Sequence, residues 1–413
     1  MARRLIAAAL AAVALLGLSG CLGVGGGRGE GISFQLVADA EELAVYREVV
    51  RAYEQRSGER VRLVAVGERR DHLAKLATGF GAGRPPDVFL INQRNAGGFM
   101  AAGALDPAGP RLGRGGAPRR EDFYPIALDA FTREGTVQCL PQNVSSLVVY
   151  VNRDLFARAG VRVPAKAWSY EEFLDAARRL TRDGVNGVGV EPSVIRVAPF
   201  VWGAGGEVVD DTARPERFTL DTPEARRGLR ALFELRRRGY APSANEAESR
   251  PPDERFLAGE LAMLLSSRRE VPTLRTIKDF DWDVAPFPVL ERRAAVLHSD
   301  GFCVAKQGDT EKAWAFAEFA GGPEGQRILA RGGRTVPSLR AVAESPAFLD
   351  PGARPRSSRV FLDAVPVMRR LPTSPGWTRA EEAAERVLEQ AYYGRLGLDE
   401  ALRRIAAETD GTL

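Results

Sequence analysis

The chain has 413 residues and a formal net charge of +4 at pH 7, from 58 basic and 54 acidic side chains. Its 45% hydrophobic and 8% aromatic content is typical of a globular protein, and its length is sufficient for two lobes with separate cores. A net charge this small excludes nucleic-acid binding driven by charge alone, so we expect no nucleic-acid partner.

The N-terminus has the pattern of a cleaved export signal. Arg3 and Arg4 precede an apolar or small run over 5–18, which is too short to span a bilayer as a mature helix, since that takes roughly 20 residues. The order Leu-Ser-Gly-Cys at 18–21 resembles the bacterial lipobox, in which the cysteine becomes the acylated first residue of the mature chain.

Processing at this motif would define the mature protein. We predict a signal peptide over 1–20, lipid attachment at Cys21 and a glycine-rich, flexible tether over 21–31. The mature chain is therefore expected outside the cytoplasm, anchored to the cell membrane by its lipid.

Two further cysteines, Cys139 and Cys303, each lie in an apolar, strand-like stretch. An oxidising compartment permits a disulfide between them if their Cα atoms come within about 7 Å. The apolar surroundings favour two buried free thiols instead. Sequence alone leaves the pairing open.

From residue 32 onward, short β-rich runs alternate with helical runs, which is typical of parallel strands joined by helical crossovers. This pattern predicts a first α/β lobe. In chain order, its predicted elements are a strand over 32–37, a helix over 41–57, a strand over 61–66, a helix through Leu73, Leu76 and Phe80, a strand over 87–91, a helix ending near Gly103 and a loop over 106–120.

Pro141 separates two strand-like runs, over 137–140 and 146–151, and indicates a change of direction. We place the first crossing between the lobes at this proline. The second lobe begins with a helix whose capping box is formed by Ser169 and Glu172. The later predicted elements are helices over 195–203 and 223–238, strands over 261–265 and 282–285, a strand over 301–305 that returns to the first lobe, and mostly helical structure over 310–413. The resulting lobes are 32–141 plus 300–336, and 142–299 plus 337–413.

Five stretches, taken in order, resemble the extracellular solute-binding proteins of bacterial ABC importers, in particular the sugar-binding group that includes the maltose- and glycerol-phosphate-binding proteins. The stretches are 83–91, 140–156, 168–173, 256–265 and 300–305. This resemblance implies an α/β, periplasmic-binding-protein-like fold, in which two α/β lobes are joined by crossing hinge segments with a ligand cleft between them.

The same resemblance implies that the protein binds and delivers a solute without breaking any bond in it. A monomer would capture a carbohydrate, meaning a mono- or oligosaccharide or a related polyol, and deliver it by lobe closure to the transmembrane subunits of an ABC permease. No cofactor or metal is expected. The alternatives are a binding protein for a phosphorylated or acidic sugar, such as a glycerol-phosphate-like solute, and an extracellular enzyme that acts on glycans.

A carbohydrate cleft needs planar polar groups for the hydroxyls and aromatic rings for the sugar faces. Gln93 and Arg94 lie in a predicted loop after the strand over 87–91, where open α/β sheets place ligands. Asn143 and Ser145 lie at the predicted crossing, where the family often contacts its ligand. Ser145 departs from the maltose-binding pattern, which has a carboxylate there.

Five further candidates come from the second lobe. Glu191 matches an acid that contacts sugar in the family, and Trp377 matches a C-terminal ring that stacks on a sugar face. Ser267 and Arg269 follow a predicted strand, and Trp202 lies on a predicted helix as cleft wall or core. A salt bridge for Glu191, core burial for Trp377 and a solvated helix start for Ser267 and Arg269 are the alternatives. Asp300 and Arg334 are weaker candidates.

Enzymatic readings find little support. The chain has only two histidines, His72 and His298, and no spacing typical of a zinc site. It also contains no Gly-x-Ser-x-Gly motif of the kind that presents a nucleophilic serine.

Overall fold

The computed structural model describes residues 31–413. The predicted signal peptide, Cys21 and all of the predicted tether except Gly31 lie outside the described residues. None of the helices within 31–413 is both long and apolar enough to cross a membrane.

The strands are β1 (Ile32–Val37), β2 (Val61–Val66), β3 (Val88–Asn92), β4 (Leu105–Asp106), β5 (Thr132–Arg133), β6 (Thr136–Val137), β7 (Leu140–Pro141), β8 (Val148–Asn152), β9 (Met263–Ser266), β10 (Trp282–Ala285), β11 (Ala295–Val296), β12 (Asp300–Ala305) and β13 (Met368–Arg369). The α-helices are α1 (Ala40–Ser57), α2 (Arg69–Gly81), α3 (Gln93–Ala101), α4 (Pro125–Asp129), α5 (Arg153–Arg158), α6 (Tyr170–Leu180), α7 (Val194–Gly203), α8 (Pro223–Arg237), α9 (Ala244–Ser249), α10 (Pro252–Leu257), α11 (Val271–Leu274), α12 (Thr310–Gly321), α13 (Pro323–Arg331), α14 (Arg340–Ala343), α15 (Arg359–Asp363), α16 (Trp377–Tyr392) and α17 (Leu398–Thr409).

The first lobe is built on a sheet with strand order β2-β1-β3-β12-β4, in which β7 also pairs with β12. β1 is parallel to β2 and β3, as the alternating strand and helix pattern predicts. β12 comes from much later in the chain and runs antiparallel to its neighbours, which confirms the predicted returning strand. Phe34 of β1, Tyr46 of α1 and Phe302 of β12 lie fully buried in the core of this lobe.

The second lobe is built on a smaller sheet in which β8 lies between β9 and β10, antiparallel to both. Phe173 of α6, Phe200 of α7 and Leu388 of α16 pack in its core. The predicted capping box at the start of α6 is confirmed, because the Ser169 N–H donates to Glu172 Oε2 (2.7 Å) and the Glu172 N–H donates to Ser169 Oγ (3.1 Å).

The hinge consists of segments that lie side by side where the chain passes between the lobes. Ser145, between β7 and β8, exchanges two backbone hydrogen bonds with His298, between β11 and β12, at 2.9 and 2.8 Å. Val144 donates its N–H to the carbonyl of Val336 in a third connection (2.9 Å). These bonds tie the crossing segments into one narrow strip that holds both lobes.

One local prediction is wrong, and one small sheet was not anticipated. The segment that begins at Gln93 is the first turn of α3 and not a loop, because the Asn92 side chain accepts from the Arg94 N–H and acts as the N-cap. The two-stranded β11–β13 sheet was not predicted, since strands of two residues leave no periodic pattern in the sequence.

The prediction of free thiols is also wrong, because Cys139 and Cys303 form a disulfide with their Cα atoms 4.5 Å apart. The β7–β12 pairing explains the contact. Leu140 lies opposite Phe302, which brings the residue before Leu140 opposite the residue after Phe302. This register depends on a pairing across 164 residues of sequence, so the local pattern could not reveal it.

Replacing both cysteines by alanine should destabilise the first lobe. Removal of a crosslink that closes a long loop typically costs about 2–5 kcal/mol, because the unfolded chain regains the entropy that the bond removes. Urea unfolding of the wild type with and without reductant, beside Cys139→Ala/Cys303→Ala, measures this cost. A wild-type midpoint that is insensitive to reductant and equal to that of the variant would contradict the disulfide.

Candidate functional site

Two connected chambers lie in the cleft between the lobes. The inner chamber has a volume of about 350 Å³ and is lined by residues of both lobes and the hinge. The outer chamber has a volume of about 840 Å³ and is lined mainly by the second lobe. The residues common to both chambers are Glu191, Ser193, Arg196, Arg269, Glu270 and Glu385.

The inner chamber lies at strand ends, where open α/β sheets place ligands. Val37 ends β1, Asn92 ends β3 and Ser267 follows β9, and all three line the chamber. The carbonyl of Ser267 accepts a hydrogen bond from the hydroxyl of Tyr150 on β8 (2.7 Å), which fixes the residue after β9 against β8.

The hinge supplies the floor of the inner chamber. The Asn143 side chain donates to the carbonyl of His298 (3.0 Å) and accepts from the N–H of Asp300 (2.8 Å). Ser145 Oγ accepts from the N–H of Arg268 (3.3 Å). Asn143 and Ser145 therefore line the chamber, as expected of ligand residues, and also brace the hinge.

A buried charge network forms the first-lobe wall. Arg334 lies with its Nε 2.5 Å from Glu42 Oε1 and its guanidinium 3.4 Å from Asp300 Oδ2. Burial disfavours the Arg334 charge, but Glu42, Tyr46 and Asp300 outweigh it and raise the pKa of Arg334. Arg269 approaches Glu42 from the second lobe at 3.8 Å, with about half of its side chain exposed to the cleft.

The second-lobe wall carries a second ion pair. Glu191 Oε2 lies 2.6 Å from an Arg196 guanidinium nitrogen. Arg196 lowers the pKa of Glu191, and Arg69, Arg269 and Arg94 add to the effect, which outweighs burial. The alternative of a salt bridge for Glu191 is therefore present, yet Glu191 still faces both chambers.

Arg268 lines the chamber with its backbone but turns its guanidinium away. Its Nε donates to the carbonyl of Gly333 (3.1 Å), and its NH1 group donates to Ser358 Oγ (2.9 Å). The guanidinium carbon lies 4.7 Å from the ring centre of Phe348, an attractive cation–π distance. Burial lowers the pKa of Arg268 to about 9.

A direct contact between α3 and α16 bridges the lobes. Arg94 of α3 is ion-paired with Glu381 of α16, and the side chains are only 6% and 2% exposed. Asn95 Nδ2 donates to Thr378 Oγ1 on α16 (3.2 Å). The approach is close, since a Cβ at Gly97 would collide with the carbonyl oxygen of Thr373. We call this the α3–α16 contact.

One turn further along α16, Glu385 faces Arg69 of the first lobe at 3.7 Å. Burial raises the pKa of Glu385 to about 7, and the neighbouring charge of Glu381 adds to the rise. Because its folded-state pKa is raised, protonated Glu385 contributes to the stability of the folded protein at low pH. This contribution is lost as the pH rises through about 7.

Three of the predicted site residues do not line the described cleft. Trp377 is fully buried in the second-lobe core, with its ring 5.5 Å from that of Phe218. Trp202 is 2% exposed beneath the guanidinium of Arg369. Gln93 is fully buried and donates its backbone N–H to Ser299 (2.9 Å).

The remaining predicted residues do line the cleft. They are Arg94, Asn143, Ser145, Glu191, Ser267 and Arg269. The structure also brings Asp300 and Arg334, the weaker candidates, into the inner chamber. The same chamber contains residues that the sequence analysis missed, namely Glu42, Arg69, Arg196, His298 and Glu385. From the sequence, Glu42 is recognisable only as the third helical residue of the α1 capping box, which is a structural role.

This arrangement of two lobes, a hinge and a cleft agrees with the sequence comparison. The family model described as bacterial extracellular solute-binding protein matches residues 38–327. The chain belongs to this family. As members of the family are transport proteins located outside the cytoplasm, this solute-binding protein is placed in the same class.

Individual relatives are distant. The solute-binding protein is 23% identical over 358 residues to a binding protein of Brucella abortus, with 83% of each chain covered. It is 33% identical over 110 residues to the sn-glycerol-3-phosphate-binding periplasmic protein of Agrobacterium fabrum, a match that covers 25% of each chain. The structure of the Listeria monocytogenes ABC substrate-binding protein in complex with cycloalternan superposes with a TM-score of 0.82 and 21% identity, covering 92% of this chain and 97% of that one. This superposition establishes the fold.

Glu381→Gln should shift the solute-binding protein toward a more open form. The change leaves the buried Arg94 without its charged partner, and breaking one side of a buried pair typically costs about 3–5 kcal/mol. Small-angle scattering without ligand should report a larger radius of gyration than for the wild type. Glu382→Gln, an exposed neighbour on α16, is the matched control. Identical scattering from both variants would show that the α3–α16 contact does not hold the lobes together.

Proposed function

We propose that this protein captures a carbohydrate, either a mono- or oligosaccharide or a related polyol, and delivers it unchanged to the permease of an ABC importer. The observation that carries this proposal is the inner chamber, which is lined from both lobes and floored by the hinge. A solute held there touches both lobes, so its binding energy favours closure. The Listeria relative, solved with cycloalternan, supports a saccharide.

The chemistry of the chamber supports a hydroxyl-rich solute. Its walls present carboxylates, guanidinium groups and amides, which accept or donate hydrogen bonds in fixed planes. Glu191, Arg196 and Arg269 face the junction of the two chambers, where a longer solute would extend outward.

We also propose the organisation that the sequence predicts around this site. The lobes are 32–141 plus 300–336 and 142–299 plus 337–413, consistent with strands β7 and β8 belonging to different sheets. Cys21 would carry the lipid that anchors a monomer to the membrane, beside the permease.

A phosphorylated or acidic sugar is the second candidate. Among the described residues, the inner chamber is lined by no tryptophan, tyrosine or phenylalanine that could stack on a sugar face. Arg69, Arg196 and Arg269 face the cleft instead. The partial match to a glycerol-phosphate-binding relative is in keeping with an anionic solute.

Calorimetry against glucose, mannose, maltose, maltotriose and sn-glycerol 3-phosphate tests both candidates. Heat of binding for a neutral saccharide, with no product detected by chromatography, is the result that the proposal predicts. Product formation, or no binding to any of the five compounds, would contradict it.

Arg269→Lys and Arg269→Gln form a matched pair that separates the two candidates. Lysine keeps the positive charge but loses the planar pair of donors. For a neutral saccharide, both variants should weaken binding by a similar amount, about 1–3 kcal/mol, since both lose the planar pair of donors of the guanidinium. For sn-glycerol 3-phosphate, lysine should retain most of the affinity and glutamine should not. Unchanged affinity in both variants would remove Arg269 from the site.

A further inference from the structure

His298 is held in place by the hinge. Its backbone N–H and carbonyl both bond to Ser145, at 2.8 and 2.9 Å, and its carbonyl also accepts from the Asn143 side chain (3.0 Å). The next residue, Ser299, donates its hydroxyl to the carbonyl of Asn143 (2.7 Å). Because the backbone is fixed on both sides, His298 keeps its place in the lining of the inner chamber.

The imidazole has unused hydrogen-bonding capacity. Its Nε2 atom is buried and has no hydrogen-bond partner among the described residues. Burial lowers the pKa of His298 well below its ordinary value, and the charges of Arg94, Arg196 and Arg269 lower it further. The ring is therefore neutral and presents one N–H donor and one acceptor nitrogen. A hydroxyl group both donates and accepts, so it can pair with either nitrogen of this ring, whereas a carboxylate can pair only with the N–H and a cation only with the unprotonated nitrogen.

Few other rings in the inner chamber could make the same contact. His72 and His298 are the only two histidines of the chain, and both line the inner chamber. Nδ1 of His72 already lies 3.3 Å from the side-chain amide nitrogen of Gln35. Within residues 31–413, the inner-chamber lining includes no other aromatic ring.

We propose that His298 is a specificity-determining contact in which the neutral imidazole hydrogen-bonds a hydroxyl of the captured solute. This inference rests on the proposed function. Because the His298 backbone is bonded into the crossing segments, where the two lobes meet, we expect this contact to persist as the lobes move. The His298 contact therefore sets the affinity for the solute and leaves the extent of lobe closure unchanged. Arg269, which approaches the cleft from one lobe, should affect closure as well.

The binding experiment uses whichever of the five compounds above binds the wild-type protein most tightly. His298→Ala should weaken its binding by about tenfold, as expected for loss of a buried hydrogen bond. His298→Gln and His298→Asn place an amide near Nε2 and Nδ1 respectively, and one of them should recover most of the loss. Tyr392→Phe is the control, because it removes a buried, unpartnered hydroxyl that lies in the second-lobe core away from the chamber.

A second readout separates a contact from a structural role. The imidazole nitrogens of a chain with two histidines give few NMR signals, and His298→Ala assigns those of His298. Adding the same compound should shift the His298 signals. At saturation, scattering from His298→Ala should show the same closed radius of gyration as the wild type.

The outcomes separate the two proposals. No binding of any of the five compounds by the wild type would overturn the proposed function, and this inference with it. Wild-type binding together with His298→Ala affinity within about twofold, or unshifted His298 signals, would overturn the inference alone. A His298→Ala protein that binds weakly and also fails to close would show that the residue maintains the hinge and does not read the solute.

Discussion

The hydrogen bonds between the crossing segments are the constraint on which the rest of the structure depends. Ser145 and His298 pair through both of their backbone groups, and Val144 bonds to Val336 in the third connection. On the first-lobe side, the Cys139–Cys303 disulfide ties two of these segments together. These bonds hold the lobes together along one strip, and rotation about such a strip is the motion expected of hinged lobes. A cleft that opens and closes is the mechanical consequence.

Charged side chains of the two lobes meet across the cleft in this structure. Arg94 and Glu381 pair across the lobes, and Arg269 approaches Glu42 on the other side of the inner chamber. Buried ion pairs gain little net stability, because desolvation offsets much of their attraction. Such contacts suit a protein that must open again, since water and a ligand can replace them. A large apolar interface would hold the lobes shut.

Much of the fold could be predicted because it depends on local sequence patterns. The strand over 32–37, the capping box at Ser169 and the returning strand near 301–305 are all found in the structure. The disulfide could not be predicted in this way, since it depends on the register between β7 and β12.

The site was predicted less well, for reasons of geometry. Trp377 was predicted to stack on a sugar face, but it is the first residue of α16 and its ring is buried in the second-lobe core. Glu42 and Arg334 lie 292 positions apart, and only the folded chain brings them together. His298 was not predicted as a site residue, because only the pairing of its backbone with Ser145 in the folded chain brings it to the inner chamber.

The distance between the lobes is the most direct test of the central claim, which is ligand-driven closure about the hinge. Spin labels at Arg51 of α1 and Arg237 of α8, both exposed, would report that distance by double electron–electron resonance. Ligand-driven closure predicts a broad, longer distance distribution without ligand that becomes narrow and shorter on saturation with a bound saccharide. An identical distribution in the free and saturated protein would contradict it.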